Sequence, residues 1–293
     1  MRVIVAIPTT GRPAIVVPAI RDMARQTRLP DMVVVVVAGP GDIDAGQVAD
    51  LPFPVCVIES ERGATFQRNA ALDMLHPEDC MLFLDDDFVM APDFLANLDR
   101  LIAENPDVTM VTGTVLADGI KGPGLSHDYA QEVLADQSLL LQGPELRDVY
   151  NCYGCNMALR ARPLVENRIR FDTRLKLYSW LEDVDFSRQM AAHGRIVKAA
   201  ALRGVHLGTK TGRTSGLRFG YSQIDNPLYL NAKGTMIWPR AFRMMLRNFS
   251  SNLLRSFYPE PEIDRWGRLK GNFRAIADLI RGRLKPENVT TFE

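Results

Sequence analysis

Five valines in succession, Val33 to Val37, stand between Asp31-Met32 and Ala38-Gly39-Pro40-Gly41. β-Branched side chains are stiff at χ1 and suit a pleated strand. A run with no polar alternation belongs to a strand covered on both faces, the usual situation in a parallel sheet. Val3 to Ile7, Val55 to Ile58 and Met81 to Leu84 are further short apolar runs, the first stopped by Pro8-Thr9-Thr10-Gly11. Between them, Ala14 to Gln26 and Thr65 to Leu75 carry apolar residues at helical spacing. Strands alternating with helices from the first residue predict an α/β fold with a doubly wound, mostly parallel sheet. Ligands of such sheets bind beyond the carboxyl ends of the strands. The residues after Ile7 and Leu84 are therefore the first candidates for a site.

The pattern continues with a helix over Pro92 to Glu104 and a strand over Val108 to Leu116. Ala117 to Arg147 is rich in Gly and Pro and reads as a loop around a short helix. Cys155 to Arg160 and Ile196 to Leu202 read as strands, Glu182 to His193 as a helix. A polar loop, Gly208 to Gly216, precedes Pro227 to Arg283, which reads as amphipathic helix. A chain of 293 residues suits one main domain with an appended tail. Cys152-x-x-Cys155 resembles half of a zinc or redox site, but Cys56 and Cys80 offer no second pair, so it reads as incidental. Four scattered cysteines suit a reducing compartment. The longest apolar run, Met32 to Ala38, is far short of the roughly 20 residues of a membrane span. Nor does the N-terminus, with Pro8 and Arg12, read as a signal peptide, so a cytoplasmic location is expected.

Phe83-Leu84-Asp85-Asp86-Asp87-Phe88 carries the chemistry. Three adjacent carboxylates at the end of an apolar strand repel one another and resist desolvation unless a cation is present. Mg²⁺ and Mn²⁺ favour oxygen ligands and commonly bridge to substrate phosphates. The triplet thus points to a divalent cation and a phosphate-bearing substrate, with a solvated acidic turn as the bland alternative.

The surroundings sharpen this. Ile7-Pro8-Thr9, Arg62-Gly63, Arg68-Asn69, Leu84-Asp85-Asp86-Asp87 and Pro92 occur in that order. Gly154 to Arg160, Phe171-Asp172, Glu182-Asp183-Val184-Asp185-Phe186-Ser187-Arg188, Gly194 and His206 follow. Together they resemble family 2 glycosyltransferases with the Rossmann-like GT-A fold, over roughly Arg2 to Leu207. The resemblance implies a GT-A domain over 1–207, with a nucleotide-binding half to about 115 and an acceptor half from about 116. It leaves 208–293 as a basic loop and helical C-terminal extension.

By the same resemblance, Pro8, Thr9, Thr10 and Arg12 lie along the nucleotide sugar. Asp86, with a share for Asp85, contacts the ribose, and Asp87 ligates Mn²⁺ or Mg²⁺ within a D-x-D type motif. His206 approaches the metal or the diphosphate. Asp183 is the catalytic base. Apart from the resemblance, the Trp180 ring suits stacking on a sugar, so Trp180 and Glu182 are expected on the acceptor side. Many relatives read the base with an Asp after the second strand, where this chain has Ala38-Gly39-Pro40-Gly41. Glu59, Glu61 or Arg68 are the expected substitutes. The implied activity is inverting hexosyl transfer from a nucleotide diphosphate sugar to an acceptor hydroxyl, in polysaccharide or glycoconjugate synthesis. No nucleic-acid partner is expected.

Each residue has a plainer reading as well. Glu182-Asp183 also suits a helix N-terminus, Asp185 suits a structural role, and Trp180 suits core packing. Lys210 and Arg213 suit either a diphosphate clamp or an ordinary loop. A nucleotidylyltransferase shares the sheet and the acidic ligands, but it would usually place a Gly-rich basic loop after the first strand. Pro8-Thr9-Thr10-Gly11-Arg12-Pro13 is a poor version of that. A non-catalytic sugar-binding protein is the other alternative.

Charge is unevenly distributed. Residues 210–293 hold 15 Lys and Arg against 7 Asp and Glu, whereas the first 209 hold 20 against 28. Trp238-Pro239-Arg240, Arg243, Arg247, Arg255, Trp266 and Arg268 interleave aromatic and cationic side chains. Such a surface suits anionic lipid and a lipid-linked saccharide acceptor at the inner face of the membrane. A helical cover or dimer face is the alternative.

Overall fold

The computed structural model describes residues 1–136, 145–210, 214–258 and 260–292. In chain order the elements begin β1 (Val3–Pro8), α1 (Pro13–Asp22), β2 (Met32–Val37), β3 (Val55–Glu59), α2 (Ala64–Leu72) and β4 (Cys80–Leu84). There follow β5 (Phe88–Met90), α3 (Phe94–Glu104), β6 (Val108–Asp118), α4 (His127–Ala135) and β7 (Leu146–Asp148). Next come β8 (Asn156–Arg160), α5 (Ala161–Asn167), α6 (Glu182–Met190) and β9 (Arg195–His206). The chain ends in α7 (Gly216–Lys233), α8 (Trp238–Arg255) and α9 (Arg265–Ile280).

The described residues divide into two units, the first from 1–62, 66–170 and 189–212, the second from 63–65, 171–188 and 213–293. The sheet belongs to the first, in the order β3-β2-β1-β4-β8-β6-β9-β5 with β7 added on β9. β3, β2, β1 and β4 are parallel, with Val5 opposite Val33 and Leu82. All five valines of β2 are buried, as a doubly covered strand requires. One face packs Val3, Val5 and Ile7 against Val16, Val17 and Ile20 of α1.

Beyond β4 the sheet is mixed. β8 runs antiparallel to β4 and β6, and β6 is parallel to β9. The two three-residue strands β5 and β7 both pair antiparallel with β9. β5 sets Phe88 opposite His206, and β6 sets Asp118 opposite the same histidine. Gly204 permits the first pairing, because a Cβ there would collide with the Phe88 ring. The region expected as a loop from Ala117 holds the end of β6, a short 3₁₀ turn at Gly119–Lys121 and α4. Gly143, part of that expected loop, lies outside the described residues.

In the second unit helix begins at Gly216, not at Pro227. Ser215 caps it, accepting the Arg218 amide, and Pro227 sits in the interior. Proline suits a first helical turn, which is why it reads as a start in the sequence. Gly220 and Gly271 let α7 and α9 touch backbone to backbone: a Cβ on either would strike the other helix. Asn252 of α8 donates to Gln223 of α7 (2.7 Å) and to Asn272 of α9 (2.9 Å). This buried amide network ties the three helices.

Candidate active site

The acidic triplet leaves β4 where the sheet changes from parallel to mixed, and its side chains diverge. Asp85 and Asp87 face His206, with Nε2 3.9 Å from Asp85 Oδ2 and 3.4 Å from Asp87 Oδ1. One ligand atom from each of the three falls within 4.8 Å of the others. Among the described residues this is the group of His, Cys, Asp and Glu side chains arranged to hold an ion. Two carboxylates and an imidazole suit Mn²⁺ or Mg²⁺, and Asp85 is only partly buried, so phosphate oxygens could complete the coordination.

His206 is held by Asp118, whose Oδ1 is 3.0 Å from Nδ1. Tyr153 donates its hydroxyl to the other Asp118 oxygen at 3.0 Å and packs edge-on to the imidazole. Burial by itself lowers the pKa of His206, but Asp118, Asp87 and Asp85 reverse this and push it up to about 10. Burial likewise opposes the charge on Asp87. The His206 imidazolium and the Thr209 amide, 2.7 Å from Oδ2, outweigh it and hold that carboxyl at about 2. For His206 to serve as a metal ligand its Nε2 proton would have to leave, and the charge of the ion would replace it.

Asp86 turns the other way and is fully buried. Thr9 donates to its Oδ2 at 2.6 Å, and Arg12 lies 2.7 Å from Oδ1 in an ion pair without hydrogen-bond alignment. Burial raises this carboxyl to about 7, against the pull of Arg12 and Thr9 and with the help of Asp87 and Asp85. In this arrangement Arg12 and Thr9 occupy the carboxylate that the sequence assigned to a ribose. Gln67 donates to the carbonyls of Thr9 (2.8 Å) and Val36 (2.7 Å) and so fixes the turn after β1. Arg68 pairs with Asp85 at 3.4 Å and donates to the Gly154 carbonyl at 3.2 Å. Pro8 and Thr10 are half-buried on the same turn, whereas Glu61 is exposed. Lys210 donates to the carbonyls of Gly119 and Ile120, closing its own loop, and Arg213 lies outside the described residues.

Trp180, Glu182 and Asp183 belong to the second unit. Trp180 packs its ring on Phe219 at 5.6 Å, and its carbonyl accepts from Asn226 at 2.6 Å. Leu177, Ser179 and Leu181 all have positive φ, at 59°, 55° and 75°. Left-handed backbone at a non-glycine residue costs on the order of 1–3 kcal/mol and persists where its surroundings enforce it, often at functional sites. α6 follows directly. Its Glu182 is buried, and Asp183 is half-buried with Oδ1 accepting the Val184 amide at 2.8 Å. Asp185 is fully buried, receiving Lys233 and Thr235, each at 2.7 Å. Lys233 also meets Asp172 at 2.7 Å, so these ties anchor the first turn of α6 to α7.

The model of glycosyl transferase family 2 matches residues 4–167, more than half of the chain. The chain belongs to glycosyl transferase family 2. Solved structures agree on the fold of this family 2 member. TarS 1–349 of S. aureus, in complex with UDP-GlcNAc, superposes with a TM-score of 0.58 at 19% identity, over 99% of this chain and 83% of that one. The mannosyltransferase PcManGT from Pyrobaculum calidifontis, with GDP-Man and Mn²⁺, gives 0.55 at 18%, over 94% and 86%. GalNAc-T7 with UDP, GalNAc and Mn²⁺ gives 0.52 at 14%, over 88% and 58%. No curated protein matches the family 2 chain by sequence.

Sequence reasoning overlooked two carboxylates of this family 2 chain. Asp118 sat at the edge of an expected loop, and only the pairing of β6 with β9 brings it to His206. Asp42, four residues past Ala38, folds back to accept the amides of Ala38 (2.8 Å), Gly39 (3.0 Å) and Gly11 (2.6 Å). It joins the loops after β1 and β2. Asp118→Asn should weaken Mn²⁺ binding by about 10–100-fold, because the partner of a ligating histidine sets its tautomer and basicity. Calorimetric titration of the variant checks this, and an unchanged affinity would remove Asp118 from the site.

Proposed function

We propose that this chain is an inverting hexosyltransferase that moves a sugar from a nucleotide diphosphate donor to a saccharide hydroxyl, in polysaccharide or glycoconjugate assembly. The observation that carries the reading is the Asp85, Asp87 and His206 cluster at the mouth of the parallel strands, with Asp118 behind the imidazole. Asp85, Asp87 and His206 would hold a divalent cation there, which would supply Lewis-acid stabilisation to the departing diphosphate. Asp118 holds His206 with Nε2 toward the two carboxylates. Arg12 and Thr9, on the turn after β1, take the nucleotide side, together with Pro8, Thr10 and Arg68. Release of Arg12 from Asp86 would free a carboxylate for the ribose.

Asp183 is our choice for the base that takes the acceptor proton. Its neighbour Asp185 is committed to Lys233 and Thr235, and Glu182 is buried, whereas Asp183 is only partly buried. A carboxylate in the first turn of a helix is also favoured by the dipole. Trp180 and Glu182 then flank the acceptor. A base acting opposite the leaving group gives a single displacement, hence inversion. The acceptor is a saccharide carried on lipid, with the enzyme at the inner face of a membrane.

Incubation with UDP-, GDP- and dTDP-sugars tests the reading, with Mn²⁺ or excess chelator. Metal-dependent release of nucleoside diphosphate from one donor is expected. Release of pyrophosphate from a nucleoside triphosphate would instead establish a nucleotidylyltransferase.

A further inference from the structure

The second unit carries an apolar surface to which none of the roles proposed above is assigned. On α8, Trp238, Phe242 and Leu246 recur every fourth residue and so share one helix face, and each is about half exposed. On α9, Trp266, Phe273 and Ile280 recur every seventh residue, exposed by 54%, 54% and 82%. Phe249 meets Phe273 edge-to-face at 5.6 Å and joins the two stripes. Phe257 and Tyr258, just past α8, are more exposed than the rings of either stripe. Apolar surface gathered on one side in this way marks an interaction site.

Charge identifies what covers it. α8 contains Arg240, Arg243, Arg247 and Arg255 and no acidic residue. Arg243 and Arg247 each follow a stripe residue, so they form a second exposed row one step round the helix. On α9 Arg274 follows Phe273 in the same way, with Asp278 3.5 Å from its Nε, and Lys270 is exposed one turn after Trp266. Arg240 is half-buried and belongs less to this surface. A second copy of the chain brought onto this face by a twofold axis would offer these arginines no carboxylate from α8, which has none. An aromatic stripe flanked by arginines is the pattern of a helix lying in a bilayer interface. No helix among the described residues is long and apolar enough to cross a membrane.

We infer that the face formed by α8 and α9 lies on a bilayer containing anionic lipid. Trp238, Phe242, Leu246, Trp266 and Phe273 enter the acyl boundary, and Arg243, Arg247 and Arg274 meet the headgroup phosphates. The inference rests on the membrane-side location proposed above and gives it a surface, while leaving the transfer chemistry aside.

Co-sedimentation of the full chain with vesicles tests it, comparing phosphatidylcholine alone with phosphatidylcholine containing phosphatidylglycerol. The wild type should sediment with the anionic vesicles and far less with the neutral ones. Arg243→Gln with Arg247→Gln should weaken binding by about 25-fold, since each basic residue near such a surface is worth roughly fivefold. Phe242→Ser with Leu246→Ser should weaken it at least tenfold by a different route, without loss of helix by circular dichroism. Donor turnover, measured on the same samples, should be unchanged in both variants. That separates failure of the surface from failure of the enzyme. Wild-type protein that stays in solution with both vesicles would overturn the proposal. So would equal binding to neutral vesicles, or a dimer in sedimentation equilibrium that Phe242→Ser dissociates.

Discussion

Asp87→Ala should abolish sugar transfer, with a loss of about 10³-fold or more, while the fold survives. Asp87 faces His206 Nε2 at 3.4 Å and accepts the Thr209 amide, so it gathers the strand end, the histidine and the following loop around one point. Its charge is stabilised strongly enough to hold the carboxyl at about 2 despite burial, so it is ionised at any working pH. A cation bound as a Lewis acid supplies several kcal/mol to a leaving group, and about 4 kcal/mol corresponds to about 10³ in rate. Asp87→Asn is the finer variant, because the amide oxygen can still receive Thr209 but carries no charge for the ion. Both should lose Mn²⁺ binding in a calorimetric titration. A variant that binds the ion and turns over normally would show that the cluster is an ordinary acidic turn.

Asp183→Asn should lower transfer by about 10²-fold or more, the lower end of typical base catalysis. The substitution keeps the shape of the side chain and the oxygen that accepts the Val184 amide at 2.8 Å. Asn serves a helix start about as well as Asp, so stability should hold and circular dichroism should not change. Donor and metal affinities should also stay the same, since neither is assigned to this carboxylate. Near-normal initial rates would leave Asp183 as a helix-terminal residue and return the base role to Glu182. Asp185 is a poorer candidate, because Lys233 and Thr235 occupy both of its oxygens.

The parallel half of the fold was legible in the sequence because its signals are local. Val33 to Val37 need only their own side chains to declare a doubly covered strand, and the acidic triplet at the end of Met81 to Leu84 needs only its position. β5 and β7 were not legible. Three residues are too few for a period, and both strands exist by pairing with β9. Asp118 escaped for the same reason, since its meaning comes from a histidine 88 residues away. Among the triplet, sequence could not tell which carboxylates share an ion. Arg12 and Thr9 draw Asp86 away, leaving Asp85 beside Asp87. The strained backbone before α6 was equally hidden, because Leu177, Ser179 and Leu181 carry no glycine to announce positive φ. The apolar periodicity of α8 was partly visible, but only the structure separates its exposed stripe from the side that buries Ala241 and Asn252.

The most direct measurement is proton NMR of the transfer reaction in Mg²⁺, which is diamagnetic, following the anomeric protons of donor and product from the first turnovers. The expected result is loss of the donor signal only while the cation is present, and a first-formed product of the opposite anomeric configuration. Product with the configuration of the donor, or donor loss that continues unchanged in excess chelator, would contradict it.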